Sequence, residues 1–342
     1  MNNNITLIYN IKEPERGGVG RYTYELLVRL RKRIEFNEID LSSSFGKNNL
    51  EKLFAILWKR KVFLMKNVNK YGDVNHFLQA EIYYTIEGRK NIVTFHNPPP
   101  FTKTISEMYP GYYNFIRSIL FWKRYQEAVE NADIIIANSQ LTKEGILELG
   151  YEEERIKVIP LGVDEKFRIN VPWSKRKNVI GYLGSFATHK RVDKLLRDWK
   201  VNFDRTAGYK LKLYGFGGTK FQDLKQVYDG KLNIIFEGRA KEVEIVKILN
   251  SFKAFVFPSK GESFGLPIIE AIACGTPTFV YVDSIITPEV KKYAIEIENV
   301  SEIPEILEKI KMKKLIKKSK EVKKEFNWDR NVSETVKIYR KL

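Results

Sequence analysis

Short apolar runs recur along the chain, separated by longer stretches in which apolar and charged positions follow helical spacing. Ile5–Tyr9, Phe36–Leu41, Asn91–Phe95, Ala132–Ser139, Lys157–Pro160 and Val179–Ser185 are such runs. So are Leu211–Gly215, Asn233–Gly238, Ala254–Phe257 and Thr278–Val282. They are rich in β-branched and aromatic residues and bounded by Gly, Pro, Asn or Ser, a pattern that predicts buried strands. Helical periodicity marks Arg21–Lys32, Leu50–Lys70, Asn114–Tyr125, Gln140–Gly150, the stretch from Lys190 to about Lys200, and one ending near Phe252. Strands alternating with helices predict the α/β class. At 342 residues the chain is long enough for two domains of ordinary size.

The most informative unit runs from Phe257 to Pro277, FPSKGESFGLPIIEAIACGTP. Pro267 suits the first position of a helix, where its missing N–H would be unbonded anyway. Gly275 suits the position just past the helix end. Strand, loop, short helix and strand then make one βαβ unit, with Glu262 in the loop and Glu270 about one turn into the helix. The N–H groups of Phe264, Gly265 and Leu266 face outward at the helix start, where an anion or an oxygen-rich ligand satisfies them. Gly265 lets that backbone approach a ligand closely. Two carboxylates in this setting can accept hydrogen bonds from hydroxyls at opposite ends of one ligand, at about 1.5–3 kcal/mol each. The plain alternative is that Glu270 complements the helix dipole and Glu262 is a solvated loop residue.

Composition narrows the partners. The formal net charge is +17, which favours anionic ones and leaves nucleotide diphosphates, acidic headgroups and nucleic acid open. Zinc-finger spacing, RNP-like aromatics and a basic zipper are all missing, so no sequence-specific nucleic acid is expected. Lysines between Glu305 and Lys324 read as a solvated helix face. Basic and aromatic residues interleave in Leu50–Lys70 and Asn114–Tyr125, which fits either a core helix with a charged outer side or a helix at an anionic membrane surface. The single Cys274 excludes an internal disulfide and fits a reducing cytoplasm. No signal peptide and no membrane-spanning run is apparent.

Three further sites carry chemistry. Gly17 and Gly18, between the first strand and the first helix, can let the backbone approach a phosphate, although the loop is not a G-x-G-x-x-G. His96, one of three histidines, ends a strand on the side of an α/β sheet where ligands bind. The alternative is a hydrogen bond to the turn that follows it. Lys190 stands at a helix start, where the dipole disfavours a cation. A compact ammonium there can neutralise charge on a leaving diphosphate.

The string Ser259–Pro277 resembles the donor-site signature of glycosyltransferase family 4, the retaining, nucleotide-sugar-dependent transferases of GT-B fold. Its pattern is (P)S..E.FGLP..EA.A.GTP, with Ser263 here in place of the more usual Gly. The elements ANS–helix–IPLGVD, up to Asp164, and the C-terminal FNWDRNVSETVKIYRKL extend the resemblance to essentially the whole chain. It implies two Rossmann-like domains facing across a cleft, with a C-terminal helix crossing back to the first. The expected boundaries are 1–165 with 326–342 for the acceptor side, 166–177 for a linker, and 178–325 for the donor side.

The resemblance also implies roles. Glu270 would hold ribose hydroxyls; Glu262, Ser263 and the backbone of Phe264, Gly265 and Leu266 would hold the transferred sugar. Lys190 would grip the diphosphate, with Ser185 in the place of a frequent Arg, so that one phosphate contact would be either weaker or supplied by His189 or Arg191. Gly215 and Arg239 would lie near the base, Gly17 and Gly18 would face the diphosphate, and His96 would reach the sugar near its anomeric carbon, with Asn97 where Asp is common. No Asp-x-Asp pair occurs, so neither metal nor cofactor is expected, and Lys190 with the helix N-termini would supply the electrostatic stabilisation.

The reading is thus a retaining, metal-independent hexosyltransferase acting on a glycan or lipid-linked acceptor. It would be cytoplasmic, with an anionic membrane surface as a further partner. One alternative is a catalytically silent nucleotide-sugar-binding or scaffold protein of the same fold. A Rossmann oxidoreductase would need the G-x-G-x-x-G that the first loop lacks.

Overall fold

The computed structural model describes residues 4–14, 17–42, 66–108 and 115–342. Most of the helix expected over Leu50–Lys70, the residue Asn114, and the end of the loop Pro98–Tyr113 lie outside them. The described residues gather into two compact units. One takes those up to Ser106, those from 115 to Leu161, and the C-terminal Trp328–Leu342; the other is built on Gly162–Asn327.

The first unit is a six-stranded sheet of β1 (Ile5–Tyr9), β2 (Asn37–Asp40), β3 (Val74–Phe77), β4 (Lys90–Phe95), β5 (Ile134–Ala137) and β6 (Ile156–Val158). All pairs are parallel and the order is β2-β1-β3-β4-β5-β6. Parallel strands covered on both faces must be apolar throughout. Ile8, Phe77, Val93, Phe95 and Ile135 accordingly meet in the core. The helix Gly18–Leu30 follows β1, and Phe115–Asn131 and Gln140–Leu147 flank β5. The last of these stops short of Gly150, which turns the chain with φ 79°.

The apolar-run criterion passes over β3, because Asn75 and His76 interrupt Val74 and Phe77. Both polar residues are fully buried and satisfied. Asn75 exchanges hydrogen bonds with the Gly72 backbone. His76 bonds the Thr94 hydroxyl through Nε2 at 2.8 Å and the Tyr339 hydroxyl through Nδ1 at 2.6 Å. Thr94 in turn meets the Tyr22 hydroxyl at 3.0 Å. One polar chain therefore ties β3, β4, the first helix and the C-terminal helix Trp328–Lys341. That helix also carries Trp328, buried at 2% exposure, and Asn331, whose amide donates to the Pro160 carbonyl.

The second unit repeats the plan with β7 (Val179–Leu183), β8 (Lys210–Tyr214), β9 (Ile234–Gly238), β10 (Ala254–Phe257), β12 (Thr278–Tyr281) and β14 (Ile295–Ile297). A separate parallel pair is formed by β11 (Gly261–Glu262) and β13 (Ile285–Ile286). The main sheet runs β14-β12-β10-β7-β8-β9, all parallel. Gly181 stands in mid-strand because a Cβ there would lie 2.2 Å from the Phe252 ring.

The segment expected as a linker, 166–177, is packed into this unit. Its Arg176 is 5% exposed and donates to the carbonyls of Val171, Phe252 and Cys274. Cys274 is buried, and burial pushes its thiol up to about 12, in keeping with a packing role. The lysine-rich stretch after residue 302 forms two helices, Ile303–Lys309 and Met312–Glu325. The second packs on the helix Leu266–Ala273, with the Ser319 hydroxyl donating to the Ala273 carbonyl at 2.6 Å. Among the described residues no helix is long and apolar enough to cross a membrane.

Each unit is thus a parallel sheet with helices, the α/β class that the alternation of strands and helices predicts. The buried His76 yields a pH test. Desolvation pushes its imidazole from the ordinary 6.5 down to about 3. A neutral folded-state His contributes stability that is intact above about pH 6.5 and lost as pH falls toward the folded value. At about pH 5.5 this group alone costs roughly 1.4 kcal/mol of stability. The folded protein's His76 ring-proton resonances are expected to stay fixed between about pH 8 and pH 5; a midpoint near 6.5 would contradict the network.

Candidate active site

In the second sheet β7, β8 and β9 run to one side and β10, β12 and β14 to the other. The loops leaving the carboxyl ends of β7 and β10 therefore diverge to opposite faces and leave a crevice, the place where open α/β sheets bind ligands. The loop after β7 brings Gly184 to Arg191; the loop after β10 brings Pro258 to Gly265.

Arg191 joins these loops. Its backbone is left-handed, at φ 48° and ψ 36°. Its guanidinium donates to the carbonyls of Pro258 at 2.8 Å and Ser259 at 3.3 Å. Both terminal nitrogens reach the Asp283 carboxylate, at 2.6 and 3.0 Å. Hydrogen bonding from Arg191 holds that carboxyl down at about 2. The Lys260 amide donates to the His189 carbonyl at 2.7 Å, and the Ser284 hydroxyl to the Ser259 carbonyl at 2.7 Å. The two loops are thus one rigid piece.

Lys190 and Glu262 sit on that piece as an ion pair, their side chains 16% and 19% exposed. The ammonium also lies 5.0 Å from the centre of the Phe257 ring. Here the structure corrects the sequence reading. Lys190 closes a short turn, Thr188–Lys190, and the helix begins only at Val192. The side chain is therefore presented by a turn ahead of the helix, and the dipole penalty assumed for it does not arise. Neither substitute for the missing Arg is available as a phosphate-binding cation. Arg191 is engaged by Asp283, and burial with the nearby charges of Lys190 and Lys220 pushes His189 down to about 3, leaving it neutral. Ser185 itself offers its carbonyl to the Tyr182 hydroxyl at 2.5 Å.

Gly265, at φ 92°, opens the helix Leu266–Ala273, which makes Pro267 its second residue. That start has neither a side-chain cap nor an acidic residue in its first turn, which leaves it electropositive. Phe264 is 2% exposed and meets Phe326 edge-on at 5.5 Å, so its ring anchors the loop. Ser263 and Glu270 are buried at 5% and 7% exposure, and Leu266 at 9%.

Gly215 has a packing reason as well. A Cβ there would stand 2.0 Å from the Gly184 carbonyl oxygen. The loops after β7 and β8 lie against each other, with Gly184 N–H on the Tyr214 carbonyl and Phe186 N–H on that of Phe216. Arg239, just past β9, is exposed and lies over the Phe216 ring at 4.5 Å. Phe216 is 49% exposed, a flat aromatic surface that sequence reasoning passed over, although a Phe between two glycines was a visible signal. Asp283 was missed for a different reason: it is remote in sequence from Arg191 and has no local mark.

In the first unit His96 directly follows β4 and is 9% exposed. Its Nε2 lies 2.9 Å from the Leu78 carbonyl, so that nitrogen carries the proton. The Tyr22 ring packs on it at 4.8 Å, and Asn138 donates to its carbonyl at 2.9 Å. Burial lowers its pKa. Gly17, at φ 100°, precedes the helix Gly18–Leu30, which also has no side-chain cap and no acid in its first turn. Gly20 is required locally, because a Cβ there would lie 2.1 Å from the Glu13 carbonyl oxygen. Arg16 is outside the described residues.

Comparison with known proteins finds family matches in sequence and likenesses in fold. The profile for glycosyl transferases group 1 matches residues 163–326, and that for glycosyltransferase family 4 matches residues 76–167. An O-antigen chain mannosyltransferase of Salmonella typhimurium is 24% identical over 298 residues, 80% of this chain and 81% of that protein. An Escherichia coli O-antigen chain mannosyltransferase B is 22% identical over 76% of this chain and 77% of its own. Among solved structures, sucrose-phosphate synthase of Thermosynechococcus elongatus shares the fold with a TM-score of 0.74 at 16% identity, covering 99% of this chain and 98% of its own. Anabaena HepE, solved in complex with UDP, aligns at 0.71 and 16% identity, over 99% of this chain and 100% of its own.

The close approach at Gly215 gives a local test. Gly215→Ala is expected to lower stability by about 1–3 kcal/mol through overpacking, read as a lower melting temperature. An unchanged melting temperature would mean the two loops are not in contact.

Proposed function

The chain belongs to the glycosyl transferases group 1 of family 4, and from that premise we propose that it moves a hexose from a nucleotide-diphosphate sugar to a hydroxyl of a glycan or lipid-linked acceptor, retaining the configuration at the anomeric carbon. The observation that carries this reading is the Lys190–Glu262 pair at the β7/β10 switch point, beside an uncapped helix start. A diphosphate brings the anion that Lys190 requires, and a sugar brings the hydroxyls that Glu262 requires. On donor binding the ammonium exchanges the Glu262 carboxylate for diphosphate oxygens, and Glu262 turns to the sugar.

The remaining roles follow. Glu270 accepts from ribose hydroxyls, and Ser263 with the Phe264–Leu266 backbone lines the sugar. The Gly215 loop and Arg239 flank the base. Gly17 and Gly18 offer backbone N–H groups to the diphosphate, and Ser185 contributes a weak contact. His96, its ring held by Leu78 and Tyr22, is the residue assigned to reach the sugar near its anomeric carbon. In the transfer step the bond from the anomeric carbon to the diphosphate oxygen breaks. The acceptor oxygen bonds on the same face, and its proton passes to the leaving phosphate. Lys190 and the two helix starts stabilise the charge that develops there. Two relatives that span about four-fifths of this chain are O-antigen chain mannosyltransferases, which supports a growing glycan chain as acceptor.

Calorimetry with UDP, GDP and ADP tests the donor site. One nucleotide is expected to bind tightest, and Glu270→Ala to weaken it roughly ten- to a hundredfold, the loss of one charge-assisted contact. Weak, equal binding that is indifferent to the substitution would remove the proposal. With the preferred donor, Lys190→Gln should lower turnover by about a hundredfold or more while nucleotide affinity changes less. Unaltered turnover would exclude Lys190 from the transfer step.

A further inference from the structure

Ser185 stands where the resemblance calls for a second phosphate-binding cation. Neither His189, held neutral, nor Arg191, engaged by Asp283, supplies it. The neighbouring loop does hold a cation. β7 and β8 pair in register as far as Leu183 and Tyr214, so the loops that leave their carboxyl ends run side by side. The Phe186 amide donates to the Phe216 carbonyl at 2.8 Å, and a Cβ on Gly217 would lie 2.9 Å from that of Phe186. The rings of Phe186 and Phe221 meet edge-on at 4.8 Å. These contacts fix the start of the helix Gly218–Tyr228 against the residue next to Ser185.

Lys220 is the third residue of that helix, whose first turn has neither a side-chain cap nor an acid. A cation there opposes the helix dipole. The local cost that the sequence suggested for Lys190 therefore falls on Lys220, and such a conflict marks a functional position. The Lys220 ammonium lies 3.3 Å from the Asp193 carboxylate, with the two side chains 31% and 28% exposed. A tight charge-assisted bond is shorter, at about 2.7–2.9 Å. Asp193 also holds Arg197 at 3.1 Å, so it keeps a partner when Lys220 leaves. Burial, then the charges of Lys190 and Lys220, lower the His189 pKa; both ammonium groups thus lie near one imidazole.

We propose that Lys220 is the second cation of the donor site, its ammonium leaving Asp193 for a diphosphate oxygen when the nucleotide-sugar binds. Lys190 and Lys220 each exchange a carboxylate for a phosphate oxygen, and Asp193 retains Arg197. Asp193 then competes with the ligand for Lys220 and so limits how tightly the donor is held. The assignment rests on the transferase reading above.

The test is calorimetry on the full chain with the nucleoside diphosphate that the parent protein prefers. The matching nucleoside, which has base and ribose but no phosphate, is titrated in competition with it. Lys220→Gln is expected to weaken the diphosphate about tenfold, the lower end for a hydrogen bond to a charged group, and to leave the nucleoside unchanged. Lys220→Arg should restore most of the affinity. Asp193→Asn removes the competitor and should tighten the diphosphate severalfold. A Lys220 that served only its ion pair with Asp193 would separate neither variant from the parent in this way. Undiminished diphosphate binding by Lys220→Gln, or an equal loss for diphosphate and nucleoside, overturns the proposal. If Glu270→Ala still weakens the nucleotide in that case, the transferase reading stands without it. A parent protein that binds none of UDP, GDP and ADP overturns both.

Discussion

A parallel sheet whose strand order reverses between β7 and β10 leaves two loops that no ladder of backbone hydrogen bonds holds together. In this protein Arg191 does so, with its guanidinium on two carbonyls of one loop and a two-pronged bond to Asp283. A planar guanidinium suits that task because its donors diverge in a fixed fork; an ammonium could not bridge three acceptors in the same plane. With the loops locked, Lys190 and Glu262 are held face to face at the mouth of the crevice. Each is largely withdrawn from water, so each requires a partner at all times, either the other or a ligand. In the ion pair each of the two groups satisfies the other.

The first unit handles polar burial differently. Its interior holds a chain of hydroxyls and one imidazole, Tyr22–Thr94–His76–Tyr339, in which every link lies between 2.6 and 3.0 Å. Such a chain is stable only when fully connected, since one missing member strands a buried donor or acceptor. It fixes the C-terminal helix against β3 and β4, and through Tyr22 it bears on the ring of His96. The placement of that ring therefore depends on residues at both ends of the chain.

Charge is distributed with equal purpose. Arg176, Arg191 and Lys190 are drawn into the second unit to satisfy carbonyls and carboxylates. Lys313, Lys314, Lys317, Lys320 and Lys324 of Met312–Glu325 are instead exposed. The net charge of +17 thus mixes cations that hold the loops in place with cations that face outward, and only their positions in the fold tell the two apart.

Strands such as Ile5–Tyr9 and Ala254–Phe257 were legible to the residue, because a buried parallel strand must be a continuous apolar run and little else in a soluble chain looks like one. The glycine and proline around Leu266–Ala273 were legible for a similar reason: backbone geometry at a helix start and end admits few residue types. β3 was not legible, since Asn75 and His76 become acceptable only once Gly72, Thr94 and Tyr339 are in place to satisfy them. The turn that presents Lys190, the neutrality of His189 and the bond from Arg191 to Asp283 likewise depend on groups distant in sequence. Local pattern determined the strands, the caps and the motif, because those obey short-range sterics and periodicity. The partners of each buried charge were decided only by the tertiary structure, because electrostatic and hydrogen-bond satisfaction is a property of neighbours in space.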